Sequence, residues 1–188
     1  MRNTKKLAVF FPGIGYTLDK PLMYFSRRLL GSLGYEIKLI PYVGFPEKKP
    51  GDPDYVKKVF HIALDQSEAM LQDVPFHEYE DIVFVGKSVG TIAAAEIASK
   101  SPVKDRIRLV LYTPLERTFE YSFGEAIAFT GTADPWVGRE DSKIPELCKA
   151  RGISCFTIPE GNHSLESGNV DQDISALQEV IRLTEKFI

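Results

Sequence analysis

The chain has little of several things, and each shortage removes a class of function. It has two cysteines and three histidines in 188 residues, and Cys148 and Cys155 have no companions at metal-ligand spacing, so neither a disulfide framework nor a zinc site is indicated. The two are expected to be reduced, partly buried packing residues in a cytoplasmic protein. No apolar stretch approaches the ~18 residues needed to span a bilayer. Charge of one sign never runs long, and 23 Lys+Arg against 26 Asp+Glu leave a net charge of -3, which argues against a nucleic-acid partner held through phosphate neutralisation. Repeats, linkers and low-complexity tracts are missing too. With 44% hydrophobic residues, the chain is expected to fold as a single domain over residues 1–188 around one core.

The basic start Met1 to Lys6, followed by apolar Leu7 to Phe11, has the outline of a secretory signal. The run is broken at once by Pro12-Gly13, however, and no small-x-small cleavage site follows. Leu7 to Phe11 therefore reads as a buried strand. Beyond it, strand-like and helix-like patterns alternate. A helix opens at Asp19 as N-cap with Pro21 in its first turn and stops at Gly34. A strand covers Tyr35 to Pro41, the polar loop Phe45 to Gly51 follows, and apolar positions at helical spacing run from Pro53 to Leu71. Strands are then expected at Asp81 to Val85, Arg108 to Tyr112, Glu125 to Phe129 and Ser154 to Ile158. Helices are expected after the third strand through Lys100, over Ile144 to Arg151, and over Ile174 to Ile188. Alternation of this kind predicts an α/β fold, a three-layer α/β/α sandwich with a mostly parallel sheet of about six strands.

Open parallel sheets collect functional groups at the carboxyl ends of their strands. Gly86-Lys87-Ser88-Val89-Gly90 turns sharply out of the third strand, with glycines where larger side chains would not fit, and exposes a serine at the turn. Asp134 follows the fifth strand and His163 the sixth, so all three residues are expected on one sheet edge. His77 precedes its strand and His61 falls within a helix. Glu116, after the fourth strand, is the rival acid; the glycine turn before Asp134 and Pro135 after it favour Asp134. The chemistry requires such a trio, because a serine hydroxyl needs a neutral imidazole to take its proton and the imidazole needs a carboxylate to set its tautomer. An oxyanion site needs two backbone N–H donors, for which Val89 and Ile14 are the candidates. Alternatively, the glycines around Ile14 only make a turn. Lys87 either adds positive potential beside the serine or is simply solvated, and Tyr16, Thr113, Phe119 and Trp136 either line a pocket or pack.

Phe11-Pro12-Gly13-Ile14-Gly15, Gly86-Lys87-Ser88-Val89-Gly90, Gly131-Thr132-Ala133-Asp134 and Gly161-Asn162-His163, taken together, resemble the α/β-hydrolase superfamily over nearly the whole chain. The resemblance implies Ser88 as nucleophile, Asp134 as acid, His163 as base, and Ile14 and Val89 as oxyanion donors. It implies no metal or organic cofactor. The chain departs from the family in lacking the first two antiparallel strands and any cap insertion after the fourth strand, which makes this a minimal α/β-hydrolase fold without a cap domain. The expected activity is hydrolysis of a carboxylic ester or related small acyl substrate, by a monomer or homodimer with no nucleic-acid partner and no membrane span. Thioesterase, amidase and peptidase chemistry, or a silent binding protein of the same fold, are the alternatives.

Overall fold

Residues with no polar side chain, flanked by turn formers, become the centre of the sheet. In the computed structural model, which describes residues 5–47, 54–137 and 142–188, Leu7 to Phe11 is wholly buried within strand β1 (Lys6–Phe11). The chain continues through helix α1 (Pro21–Ser32), β2 (Glu36–Leu39), α2 (Tyr55–Leu71), β3 (Asp81–Lys87), α3 (Val89–Lys100), β4 (Ile107–Tyr112), β5 (Ala126–Gly131), α4 (Ile144–Ala150), β6 (Ser154–Ile158) and α5 (Val170–Phe187). The six strands form one sheet in the order β2-β1-β3-β4-β5-β6, and every neighbouring pair is parallel. The expected three layers are present, with every strand pairing parallel.

Strand alternation divides the core in two. On one face Ala8, Phe10, Val83, Val85, Val110, Tyr112 and Phe129 meet Leu22, Met23 and Leu30 of α1 and Val180 of α5. On the other, Leu7, Val9, Phe11, Phe84, Leu109 and Leu111 meet Ala93, Ala94, Ala95 and Ala98 of α3. Those alanines let α3 lie close to the sheet. The closeness is severe at the start of α3, where a Cβ on Gly90 would lie 2.1 Å from the Phe11 carbonyl oxygen and one on Gly86 2.8 Å from the Thr91 Cα. The sharp turn between β3 and α3 thus depends on bare backbone on both sides of Ser88.

Several boundaries differ from the sequence expectation, each for a local reason. Strand β3 runs two residues past Val85, to Lys87, because it keeps pairing with β4 up to Lys87 opposite Tyr112. Helix α1 is preceded by Lys20, whose side chain makes no cap; Asp19 is not the cap, and its exposed carboxylate lies 3.6 Å from Arg27. Helix α5 begins at Val170, four residues before Ile174, because Asn169 caps it by accepting from the amides of Asp171 and Gln172. That polar first turn carries no apolar period to read. Met1 to Thr4, the stretch 48–53, which holds the end of the expected loop and the expected helix start at Pro53, and 138–141 lie outside the described residues. The connection from β4 to β5 is a short 3-10 turn, Glu116–Glu120, with no room for a lid. The two cysteines are free, Cys148 buried and Cys155 half-buried. No helix among the described residues is long and apolar enough to cross a membrane.

Candidate active site

Ser88 sits on the turn with φ +54° and ψ −123°, a backbone state that a residue with a side chain adopts only when its surroundings impose it. Here the surroundings are visible. The Ser88 amide donates to the Tyr112 carbonyl at 3.0 Å, and the Ser88 carbonyl accepts from the Thr91 amide at 2.9 Å and from the Thr91 hydroxyl at 2.6 Å. Thr91 is in turn paired with Thr118 at 2.7 Å. The side chain is left at the carboxyl edge of the sheet, in a residue only 8% exposed.

There it meets two residues from distant strand ends. His163 Nε2 lies 2.7 Å from Ser88 Oγ, and His163 Nδ1 lies 2.7 Å from Asp134 Oδ2. With the proton on Nδ1, the imidazole donates to the carboxylate and accepts from the serine hydroxyl. Asp134 is fully buried, and its other oxygen accepts from the Trp136 amide at 2.9 Å. Burial lowers the pKa of His163 from its ordinary value, against the hydrogen bond to Asp134, which raises it. The net effect favours the neutral ring that a proton acceptor must be.

The loop carrying His163 is built from its own backbone. The Asn162 side-chain oxygen accepts from the Ser164 and Glu166 amides, the Leu165 amide donates to the Asn162 carbonyl at 2.9 Å, and Thr113 Oγ1 donates to the His163 carbonyl at 3.2 Å. The loops after β5 and β6 touch at Gly131, where a Cβ would lie 2.0 Å from the Gly161 carbonyl oxygen. Because Gly131 and Gly161 lead directly into Asp134 and His163, forcing them apart separates the imidazole from its carboxylate. Gly131→Ala is accordingly expected to cost about 2 kcal/mol or more of stability. A urea unfolding midpoint equal to that of the unmodified protein would show that this approach does not constrain the fold.

The other candidates separate clearly. β1 pairs directly with β3, Phe11 opposite Gly86, so the Gly13-Ile14-Gly15 turn lies against the elbow, and a Cβ on Gly13 would be 3.2 Å from that of Ser88. Neither the Ile14 nor the Val89 amide is hydrogen-bonded to a described acceptor; Val89 opens α3, where the first amides have no intrahelical partner. Glu116 is exposed on its 3-10 turn and makes no hydrogen bond to His163. His61 is exposed on α2, and His77 is exposed before β3 at the opposite edge. Phe119 is buried in the core beneath α3, which makes it packing. Trp136 is 40% exposed, with its ring centroid 5.6 Å from that of His163. A cavity of about 160 Å³ lies between α1, α5 and the loop after β6, lined by Tyr16, Leu22, Leu165, Leu177 and Val180, with Glu166 also contributing to its wall; none of Ser88, Asp134 and His163 lines it. No group of three His, Cys, Asp or Glu among the described residues could hold a metal ion.

At Lys87 the structure excludes one of the two sequence readings. A solvated lysine was one reading of that position, yet the residue is 1% exposed. Extension of β3 to Lys87 puts it on the same face as Val83 and Val85, under α1 and α5, and its Nζ lies 4.9 Å from the Tyr16 ring centroid. Alternation along the strand would have signalled this, had the strand not been ended at Val85.

Known structures share this arrangement of strands and helices. A protein assigned to the alpha/beta superfamily of hydrolases from Xanthomonas campestris pv. campestris is 15% identical, with 98% of this chain and 99% of that chain covered at a TM-score of 0.62. An alpha-beta serine hydrolase homologue from Coxiella burnetii, also 15% identical, aligns over 97% of this chain and 87% of its own at 0.66. The chain has the α/β-hydrolase fold. The Pyrococcus furiosus esterase Pf2001 shares that fold at 12% identity, over 98% of this chain and 82% of its own, with a TM-score of 0.65. No protein-family model matches the sequence, and no curated protein matches it. At these identities the likeness extends to the α/β-hydrolase architecture and leaves the chemistry to the site.

Proposed function

We propose that this protein is a serine hydrolase that cleaves a carboxylic ester or related small acyl compound through Ser88, His163 and Asp134. The observation that carries the reading is the unbroken hydrogen-bonded chain from Ser88 Oγ through both imidazole nitrogens to a fully buried carboxylate, assembled from three strand ends around a serine with positive φ.

In this reading Ser88 Oγ attacks the carbonyl carbon as its proton passes to His163 Nε2, and Asp134 stabilises the resulting imidazolium. The negative oxygen of the tetrahedral intermediate is held by the Ile14 and Val89 amides. His163 then returns the proton to the leaving group as the bond to the acyl carbon breaks, leaving acyl-Ser88. Water attacks this ester with His163 as base and releases the acid. Every proton moved is held by a residue of the chain. The short connection where a lid would be inserted leaves the sheet edge around Ser88 open to substrate.

The discriminating experiment is a panel of short- and medium-chain acyl esters, thioesters and amides, run together with a fluorophosphonate probe. Turnover of at least one ester and covalent labelling of the protein are expected. Preference for the thioester or amide members would move the assignment to those classes. Silence towards the whole panel and the probe would leave only a binding role.

A further inference from the structure

Lys87 is a buried cation that the acyl-transfer steps above do not use, one residue before the nucleophile. Its side chain leaves the elbow on the side opposite α3. The Cγ passes 3.4 Å from where a Cβ on Gly13 would stand, and the Nζ ends beneath the Tyr16 ring. Among the described residues no carboxylate forms an ion pair with it. Around it, the loop after β1 contributes the Tyr16 phenol and β4 contributes the Tyr112 phenol, both pushed up by burial and so neutral. The loops after β5 and β6 contribute Asp134, His163 and Glu166, whose charges act on Lys87 or respond to it. From α1 only uncharged side chains, Leu22, Met23, Ser26 and Leu30, are buried. Asp173 of α5 lines the adjoining cavity, but its carboxylate is occupied by the amide and hydroxyl of Ser167.

We propose that Lys87 is an electrostatic positioning residue that acts through His163: its buried ammonium, one residue before Ser88 and with no ion pair among the described residues, governs the charge state in which the imidazole meets Ser88. The inference rests on reading Ser88 and His163 as nucleophile and base. A positive charge held in a low-dielectric interior opposes a second positive charge nearby, and Lys87 adds to the burial that lowers the pKa of His163. Lys87 itself is pushed down to about 7 by burial, against the attraction of Asp134 and Glu166. The influence is therefore conditional. Below neutral pH the ammonium is charged and keeps the imidazole available as a base where it would otherwise protonate; above neutral pH Lys87 loses its proton and the influence ends.

The test compares wild type with Lys87→Met, which keeps a long unbranched side chain and removes the charge. Fluorophosphonate labelling rates are read across pH. At about pH 5.5 the variant is expected to label roughly 3- to 10-fold more slowly, the effect on a neighbour's protonation of removing one buried charge. At about pH 8.5, where His163 and Lys87 are both neutral in wild type, the two rates should converge. A loss of the same size at every pH would make Lys87 a packing residue and overturn the proposal. NMR titration of the imidazole rings supplies a readout independent of any substrate, with exposed His61 and His77 as internal controls. The His163 midpoint should move up in Lys87→Met, and an unchanged midpoint overturns the proposal. If methionine prevents folding, Lys87→Gln takes its place. In wild type alone, the His163 resonances should also show a second inflection near pH 7 as Lys87 discharges, and its absence counts against the proposal. A wild type that never labels overturns the hydrolase reading itself, while the His163 midpoints still decide what Lys87 does.

Discussion

Ser88→Ala is expected to lower ester turnover by a factor on the order of 10⁶ and to abolish fluorophosphonate labelling, with little change in unfolding midpoint. The large kinetic effect follows from removing the atom proposed to attack the carbonyl carbon. The small effect on stability follows from what the hydroxyl touches. Its hydrogen bond goes to His163, whereas the backbone that holds the elbow, Ser88 N–H to Tyr112 and Thr91 N–H to Ser88, does not involve the side chain. Alanine also carries a Cβ, so the strain at φ +54° is retained rather than relieved. Labelling of the alanine variant at the wild-type rate would place the reactive group elsewhere.

Asp134→Asn is expected to lower turnover by about 10³ to 10⁴. Both carboxylate oxygens of Asp134 accept hydrogen bonds, one from His163 Nδ1 and one from the Trp136 amide. An asparagine has one acceptor and one donor to offer in their place. If the NH₂ faces Trp136, two donors meet in a fully buried site. If it faces His163, the imidazole must shift its proton to Nε2, where it can no longer accept from Ser88. Either orientation is costly, and the second removes the base. Glu116→Gln should leave turnover unchanged, since Glu116 is exposed. Comparing kcat for the two variants checks the assignment, and a larger loss in Glu116→Gln would transfer the acid role to Glu116.

The parts of this site that could be read from the chain are those where local sequence and position along a strand coincide. Gly86 and Gly90 mark the elbow because bare backbone is needed within 3 Å of Thr91 and of Phe11. Asp134 and His163 could be sorted from Glu116, His61 and His77 because a parallel sheet places the ends of all its strands on one edge, and which residues follow a strand is a matter of counting. Asp19 and the start of α5 depart from the sequence expectation for a common reason. A cap is a hydrogen bond to particular amides, and Asn169 makes it where Asp19 does not, although both residue types are suited to it.

The order of strands and helices, the parallel sheet and the residues gathered at its carboxyl edge are properties of the one-dimensional pattern, because apolar periodicity and chain order between them dictate which segments pair and which ends align. The 2.7 Å contacts of His163 and the meeting of Gly131 with Gly161 belong to the three-dimensional packing alone. They join segments tens of residues apart, and no local pattern records the distance between two loops. That is why Ser88 could be singled out only together with Asp134 and His163 at later strand ends, while the hydrogen bonds that join the three exist only in the folded chain.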